Sequence, residues 1–437
     1  MKEILQSKHS YQTEFRDAVL EVMDDVINYY DGDSSENILS FFNRLIEPDR
    51  TIKFKIEWFD DQNILQVNRG FRVQFNNSIG PYKGGIRFHP TVNESILKFL
   101  AFEQIFKNAL TGFPMGGAKG GSDFNPKGKS EHEIRRFCQA FMMELYKYIG
   151  SNKDIPAGDI GVGTREIGYL YGTYLRLTDN FSGVLTGKHP NFGGSCGREE
   201  ATGYGCVFFL KNALNEHQID LTDKRVLVSG AGNVALYTVE KLLEENAKVL
   251  TVSDSKGTLY FENGITSKEL DDLKELKFTH KQPLKEWKGK NGEYREDEKP
   301  WSINADIAMP CATQNEMDAN DVKTLIRNGV EAICEGANMP VTGEGVEILK
   351  GNKILYLPGK AANAGGVAVS NLELSQNAVR QSSTKSEIEN HLSKVMERIY
   401  RNCIDNIEKE GGQYNYKAGA NLYAFKKVYK SMKDLVG

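Results

Sequence analysis

Two lysines stand among glycines in the first half of the chain. They are Lys83 in Pro81-Tyr82-Lys83-Gly84-Gly85-Ile86-Arg87-Phe88 and Lys119 in Pro114-Met115-Gly116-Gly117-Ala118-Lys119-Gly120-Gly121. An isolated lysine is most often a solvated surface charge. Glycine neighbours change that reading, because they let a small anion reach the ammonium without side-chain obstruction. Gln104 and Lys107 lie three apart on a stretch with helical periodicity, so both project from one face of it. As compact point charges, Lys83 and Lys107 suit carboxylates. Crowded cations depress one another's pKa, which points to Lys119 as a partly neutral amine able to accept a proton. Asp159, in Pro156-Ala157-Gly158-Asp159-Ile160-Gly161-Val162-Gly163, reads either as a turn former or as a second proton carrier facing the lysines. Together these groups suit a doubly anionic amino or keto acid whose α-carbon is oxidised or reduced.

The second half carries Gly230-Ala231-Gly232-Asn233-Val234-Ala235. Alone, this spacing also fits a strand-to-helix turn that binds nothing. Here an apolar run precedes it, a helical pattern follows it, and an acid, Asp254, closes the next apolar run. Gly230 permits the turn, Gly232 the approach of a pyrophosphate, and Ala235 close helix–strand packing. The helix start, with Asn233 and Val234, offers N–H donors to phosphate. The reading is a nicotinamide dinucleotide site, although flavin and S-adenosyl ligands use similar turns. Asp254 suits the ribose 2′-hydroxyl of NAD. Ser255 and Lys256 just behind it offer a hydroxyl and a cation to the 2′-phosphate of NADP. NADP is the expected cofactor, with NAD the alternative.

The elements that must position these groups fall into two patterns. Before about residue 195, helices and strands mix. Phe15 to Tyr30 and Asn93 to Leu110 have helical periodicity, and Thr51 to Phe59 and Leu65 to Phe75 alternate like strands. Ser130 and Glu133 form a capping box opening a helix that the pattern carries to Gly150. Beyond residue 195, short apolar runs at 225–229, 248–253, 307–309, 332–334 and 354–357 alternate with helices, the mark of a parallel, doubly wound sheet. Lys285 to Lys299 reads as a solvated loop. The expected fold is α/β, with a substrate-binding and assembly domain over 1–195 and a Rossmann-like dinucleotide domain over 196–409. A terminal helix over 410–437 returns to the first domain.

Composition narrows the rest. The 437 residues carry 55 Lys+Arg against 59 Asp+Glu, for a net charge of −4, so there is no cationic excess to bind nucleic acid. No apolar window is long enough for a membrane, and the start MKEILQSKHS lacks the apolar core of a secretory signal. The six cysteines are scattered and the seven histidines show no ligand spacing. These observations predict a cytoplasmic protein with reduced thiols and no metal.

The blocks PYKGGIRFHP, FKNALTGFPMGGAKGGSDF, PAGDIGVG, GGSCGREEATGYG, SGAGNVA, PCATQNE, EGANMP and GKAANAGGVAVS occur in this order and together resemble the short-form hexameric glutamate dehydrogenases. The resemblance implies reversible oxidative deamination of L-glutamate to 2-oxoglutarate and ammonium by a homohexamer. It implies that Lys119 activates the water attacking iminoglutarate and that Asp159 moves protons at the amino group. Gln104 and Lys107 would hold the α-carboxylate, Lys83 and Ser370 the γ-carboxylate, and Gly158 would contact the amine. Thr202 and Asn233 match cofactor positions, while Asn338 and Asn363 lie in blocks lining the nicotinamide side. A dehydrogenase for another amino acid is the alternative, disfavoured by polar Lys83 and Ser370; a non-catalytic homologue is another, disfavoured by the presence of Lys119 and Asp159. Asn371, where the family usually has glycine, and the segment Asn421 to Phe425 depart from the pattern without touching these residues.

Overall fold

The computed structural model describes residues 2–30, 32, 34–409 and 414–436. The chain forms two compact units. The first comprises Met1–Cys196, Ser370–Thr384 and Asn421–Gly437, and the second Gly197–Val369 and Lys385–Ala420. Residues 370–384, grouped by sequence with the dinucleotide domain, thus belong to the first unit. Their pattern is simply helical, and nothing local shows which body that helix packs on. The terminal helix is Tyr416–Val436, and residues 410–413 of its expected span lie outside the described residues.

The first unit is built on strands β1 (Arg50–Phe59), β2 (Leu65–Asn76), β3 (Tyr82–Phe88), β4 (Gly117–Ser122) and β5 (Asp154–Gly158), in the order β1-β2-β4-β3-β5. β1, β2 and β4 pair antiparallel, and β3 runs parallel to both β4 and β5. The glycine-flanked lysines therefore sit in central strands, not beside turns. Glycine-rich stretches lack the β-branched alternation that marks a strand in sequence, and here they are strands because neighbouring backbones need the room. The Glu94–Leu110 helix is capped by Asn93, whose side chain accepts from the Ile96 amide at 3.0 Å. The predicted Ser130–Glu133 capping box opens the next helix, which ends at Leu145. A 3-10 turn, Tyr146–Tyr148, replaces its expected last turn, because the chain must then enter β5. On one side of the sheet, Ile86 and Phe88 join Phe124, Phe137, Phe141 and Leu170 in a buried core.

The second unit holds β6 (Arg225–Val228), β7 (Lys248–Asp254), β8 (Gly257–Tyr260), β9 (Glu293–Glu296), β10 (Ile307–Met309), β11 (Ala332–Cys334) and β12 (Leu355–Leu357). Their order is β12-β11-β10-β6-β7-β8-β9, parallel from β12 to β7 and antiparallel beyond. The stretch expected to be a solvated loop supplies β9 at the sheet edge, where polar Glu-Tyr-Arg-Glu has no apolar period to reveal it. All six cysteines are free, and five are buried. Among the described residues no helix is long and apolar enough to cross a membrane, and no cluster of side chains suits a metal ion.

Candidate active site

Lys83, Gly85 and Arg87 alternate along β3 and so share one face of it. Lys119 reaches the same place from β4, and Asp159 follows immediately after β5. The Nζ of Lys119 lies 3.3 Å from Oδ2 of Asp159, and the same oxygen accepts from Nε of Arg87 at 2.7 Å. Gly85 is what allows this meeting. A Cβ there would stand 2.8 Å from the Cβ of Asp159 and 3.2 Å from the Lys119 ammonium. Burial lowers the Lys119 pKa; Asp159 opposes it, but Arg87 and Arg72 add to it, and the net shift is downward. Burial pushes Asp159 up, yet Lys119 and Arg87 outweigh it and hold the carboxyl below its usual range. The pair thus combines a lysine readily made neutral with an acid that stays ionised. The cations acting on Lys119 are arginines rather than the other lysines of the sequence reading.

Lys83 is buried and donates to the Thr186 hydroxyl at 2.8 Å. Thr186 runs beside β5 as a single parallel bridge to Ala157. Ser370 is buried in the same unit, at the point where the chain returns to it. Gln104 and Lys107 are half-buried on the Glu94–Leu110 helix. Behind them Asn108 is fully buried, donating to the carbonyls of Lys83 and Gly116 and accepting from Nε2 of Gln104 at 2.8 Å. Carbonyls only accept, so they fix which way the Asn108 amide faces. Asn108 in turn fixes the Gln104 amide, leaving the second hydrogen on that nitrogen for a further acceptor.

A second buried set braces the site from behind. Arg72, on β2, forms a two-point ion pair with Asp154 of β5 and donates to the carbonyls of Gly84 at 3.0 Å and Gly85 at 3.3 Å. Gln74 adds a bond to Asp154 at 2.8 Å. Sequence reasoning missed Arg72, Asn108 and Thr186, whose partners are distant in the chain. Arg87 was within reach, since it stands four residues from Lys83, on the same face of any strand through them.

In the second unit, β6 leads through Gly230 into the Asn233–Glu244 helix. Gly230 has φ +86° and its α-carbon faces the backbone of Cys311 and Ala312, so a side chain is excluded twice over. Gly232 caps the helix without any side-chain bond to its first turn, and a Cβ added there would meet nothing within 4 Å. An open approach to an uncapped helix start is what a pyrophosphate requires. Ala235 is fully buried against the sheet. The Asp254 carboxylate accepts from the backbone amides of Lys256 at 2.9 Å and Leu284 at 2.8 Å. Each oxygen thus already accepts a backbone hydrogen bond, and Ser255 and Lys256 beside them are exposed. Thr202 lies in the first turn of the Ala201–Glu216 helix, near Gly366. The Asn363 amide donates to the carbonyls of Gly336 at 3.2 Å and Ala337 at 3.0 Å and to Oδ1 of Asn338 at 2.9 Å, so it braces that loop. The structure therefore groups Lys83, Lys119, Asp159, Gln104, Lys107, Gly158 and Ser370 in the first unit. The cofactor candidates fall in the second.

Family models match two stretches of the chain: "Glu/Leu/Phe/Val dehydrogenase, dimerisation domain" over residues 48–176 and "Glutamate/Leucine/Phenylalanine/Valine dehydrogenase" over 193–435. The chain is 52% identical over 431 residues to the NADP-specific glutamate dehydrogenase of Psychrobacter sp. (strain TAD1), covering 98% of this chain and 96% of that one. It is equally, 52%, identical to the NAD(P)-specific glutamate dehydrogenase of Xylanibacter ruminicola, with 98% and 97% covered. Among solved structures it resembles Plasmodium falciparum glutamate dehydrogenase, with TM-score 0.95, 47% identity, and coverage of 99% of this chain and 93% of that one.

Proposed function

The chain belongs to the glutamate/leucine/phenylalanine/valine dehydrogenase family, and from that premise we propose that it interconverts L-glutamate and water with 2-oxoglutarate and ammonium. NADP is its preferred cofactor, with NAD the alternative. The observation that carries the reading is the pair of buried Lys119 and half-buried Asp159, 3.3 Å apart and flanked by Arg87, in the same unit as the buried cation Lys83. Lys83 and Ser370 make a polar end to the substrate pocket, which favours a second carboxylate over an apolar side chain. A buried site built for charge rejects an uncharged analogue strongly.

Gln104 and Lys107 hold the α-carboxylate, and Lys83 and Ser370 the distal one, which fixes the α-carbon between Lys119 and Asp159. The Gly158 backbone contacts the amine. Asp159, ionised at rest, takes a proton from the substrate ammonium. The bound nicotinamide supplies the hydride chemistry at the α-carbon, and Gly230, Gly232, Asn233 and Val234 would hold its pyrophosphate. Thr202, Asn338 and Asn363 would hold the nicotinamide end, and Asp254, Ser255 and Lys256 the adenosine ribose. Neutral Lys119 then accepts a proton from water as its oxygen bonds to the iminium carbon. Asp159 returns its proton to the carbinolamine nitrogen. The C–N bond breaks, ammonia leaves with the proton held by Lys119, and the hydroxyl proton passes to solvent, so both side chains are restored.

The enzyme acts as a cytoplasmic homohexamer. Absorbance at 340 nm tests the reaction directly: NADPH should be consumed with 2-oxoglutarate plus ammonium and formed with L-glutamate. A chain that oxidises leucine or valine but not glutamate would overturn the substrate reading. One inert with every amino acid would overturn the reading as an enzyme.

A further inference from the structure

Three residues after the chain re-enters the first unit at Ser370, Glu373 meets Lys188. Both side chains are wholly excluded from solvent, with Nζ of Lys188 2.7 Å from Oε1 of Glu373. The carboxylate also binds backbone: Oε2 accepts from the Gly187 amide at 2.8 Å and Oε1 from the Lys188 amide at 3.4 Å. The Lys188 ammonium donates in addition to the Leu185 carbonyl. Between these anchored residues stands Thr186, the partner of Lys83 at 2.8 Å. One turn beyond Glu373, Asn377 donates to the Gly193 carbonyl at 2.6 Å. Val184 and Leu185 fix the other end of this loop in the apolar core.

A buried ion pair adds little net stability over a well-packed apolar pair, so its worth lies in fixed geometry. Ser370 and Glu373, at i and i+3, lie on neighbouring positions of one helix face. Holding the Glu373 carboxylate on the 185–188 backbone therefore holds Ser370 relative to Thr186. We propose that the Glu373–Lys188 pair is a positioning device for dicarboxylate selectivity, keeping Ser370 and Thr186 in register with Lys83 so that the distal carboxylate meets a preformed wall. This rests on the reading of Lys83 and Ser370 as the distal-carboxylate site.

The test compares 2-oxoglutarate with 2-oxopentanoate, a keto acid of the same chain length that ends in a methyl group. Full-length Glu373→Gln should raise KM for 2-oxoglutarate about tenfold or more and lower the kcat/KM preference over 2-oxopentanoate by at least about as much, since a misplacement near 1 Å costs on the order of 100-fold. KM for NADPH and kcat should stay within about threefold, because the pair touches neither cofactor nor reacting carbon. Unchanged preference overturns the proposal, including where kcat and thermal midpoint fall together. Should Glu373→Gln not fold, Glu373→Leu with Lys188→Met keeps the bulk and removes both charges. A folded double variant with reduced preference supports positioning, and one with normal preference overturns it. If neither folds, the pair is a folding requirement and the proposal fails. Lys83→Leu, run alongside, separates the two readings. If it too keeps normal preference, the distal-carboxylate assignment is wrong; if it alone loses preference, only the role of Glu373 is wrong.

Discussion

In the proposed reaction, proton transfer depends on how easily one lysine becomes neutral. Removing a group that carries protons typically costs 10²–10⁴ in rate, or about 3–5 kcal/mol of barrier. Lys119→Ala should lose turnover by about that factor while circular dichroism and NADPH binding stay normal; near-normal turnover would disprove its role. The sign of the pH dependence follows from the neighbours. The neutral fraction of Lys119 rises with pH through its depressed pKa, which makes the acidic limb of kcat/KM for glutamate oxidation. Arg87 is one cause of that depression, so Arg87→Gln should raise the Lys119 pKa and move the limb to higher pH. A limb that stays put or moves to lower pH would show that the arginine does not act on Lys119. The candidates picked out in sequence were those whose neighbours along the chain betrayed them, and among them Lys119 and Asp159, each beside glycine, meet in the structure at 3.3 Å. Arg72, Asn108 and Thr186 have ordinary neighbours and acquire meaning through bonds that no local pattern announces, such as Asn108 to the Lys83 carbonyl 25 residues back and Thr186 to the Lys83 ammonium.

The strands and turns carry their own consequences. Arg72→Met would leave Asp154 buried without its cation, which costs about 3–5 kcal/mol and should appear as a lowered denaturant midpoint. Because Arg72 also binds the carbonyls of Gly84 and Gly85, activity should fall even where the variant is folded. At the second unit, the proposed determinant of cofactor choice is the turn after β7. With Asp254 occupied by two backbone amides, Ser255 and Lys256 are the groups proposed to decide whether a 2′-phosphate is welcome. Ser255→Ala with Lys256→Ala should cut the kcat/KM preference for NADPH over NADH by about tenfold or more, the loss of one or two charge-assisted hydrogen bonds. An unchanged ratio would show that the phosphate is bound elsewhere. The parallel core of this unit was legible because its strands are short, continuous apolar runs between helices. β9 was not, since an edge strand facing water needs no apolar period. The central strands of the first unit were hidden for the opposite reason: glycine gives their backbones room and leaves no side-chain pattern to read.

As a whole, the chain should assemble, and light scattering should give a mass about six times the 49.0 kDa of one chain; a stable monomer would contradict the hexamer. The first unit is stitched from three separate stretches of sequence, and that has a consequence for how the protein is born. On the ribosome, the segment bearing Phe425 emerges long after Phe42. Yet Phe425 stacks on Phe42 at 5.7 Å, Asn421 donates to Asp25 at 2.6 Å, and Glu373 must find Lys188 across 185 residues. Helices of the first stretch therefore wait with apolar faces uncovered until that segment is made, whereas most of the second unit is a continuous stretch free to close first. Contacts so distant in sequence form slowly and leave partly folded chains prone to aggregation. Stalled nascent chains ending near residue 369 should thus remain protease-sensitive in their first 196 residues, and emergence of the later stretches, more than any earlier step, would be the moment at which the first unit closes.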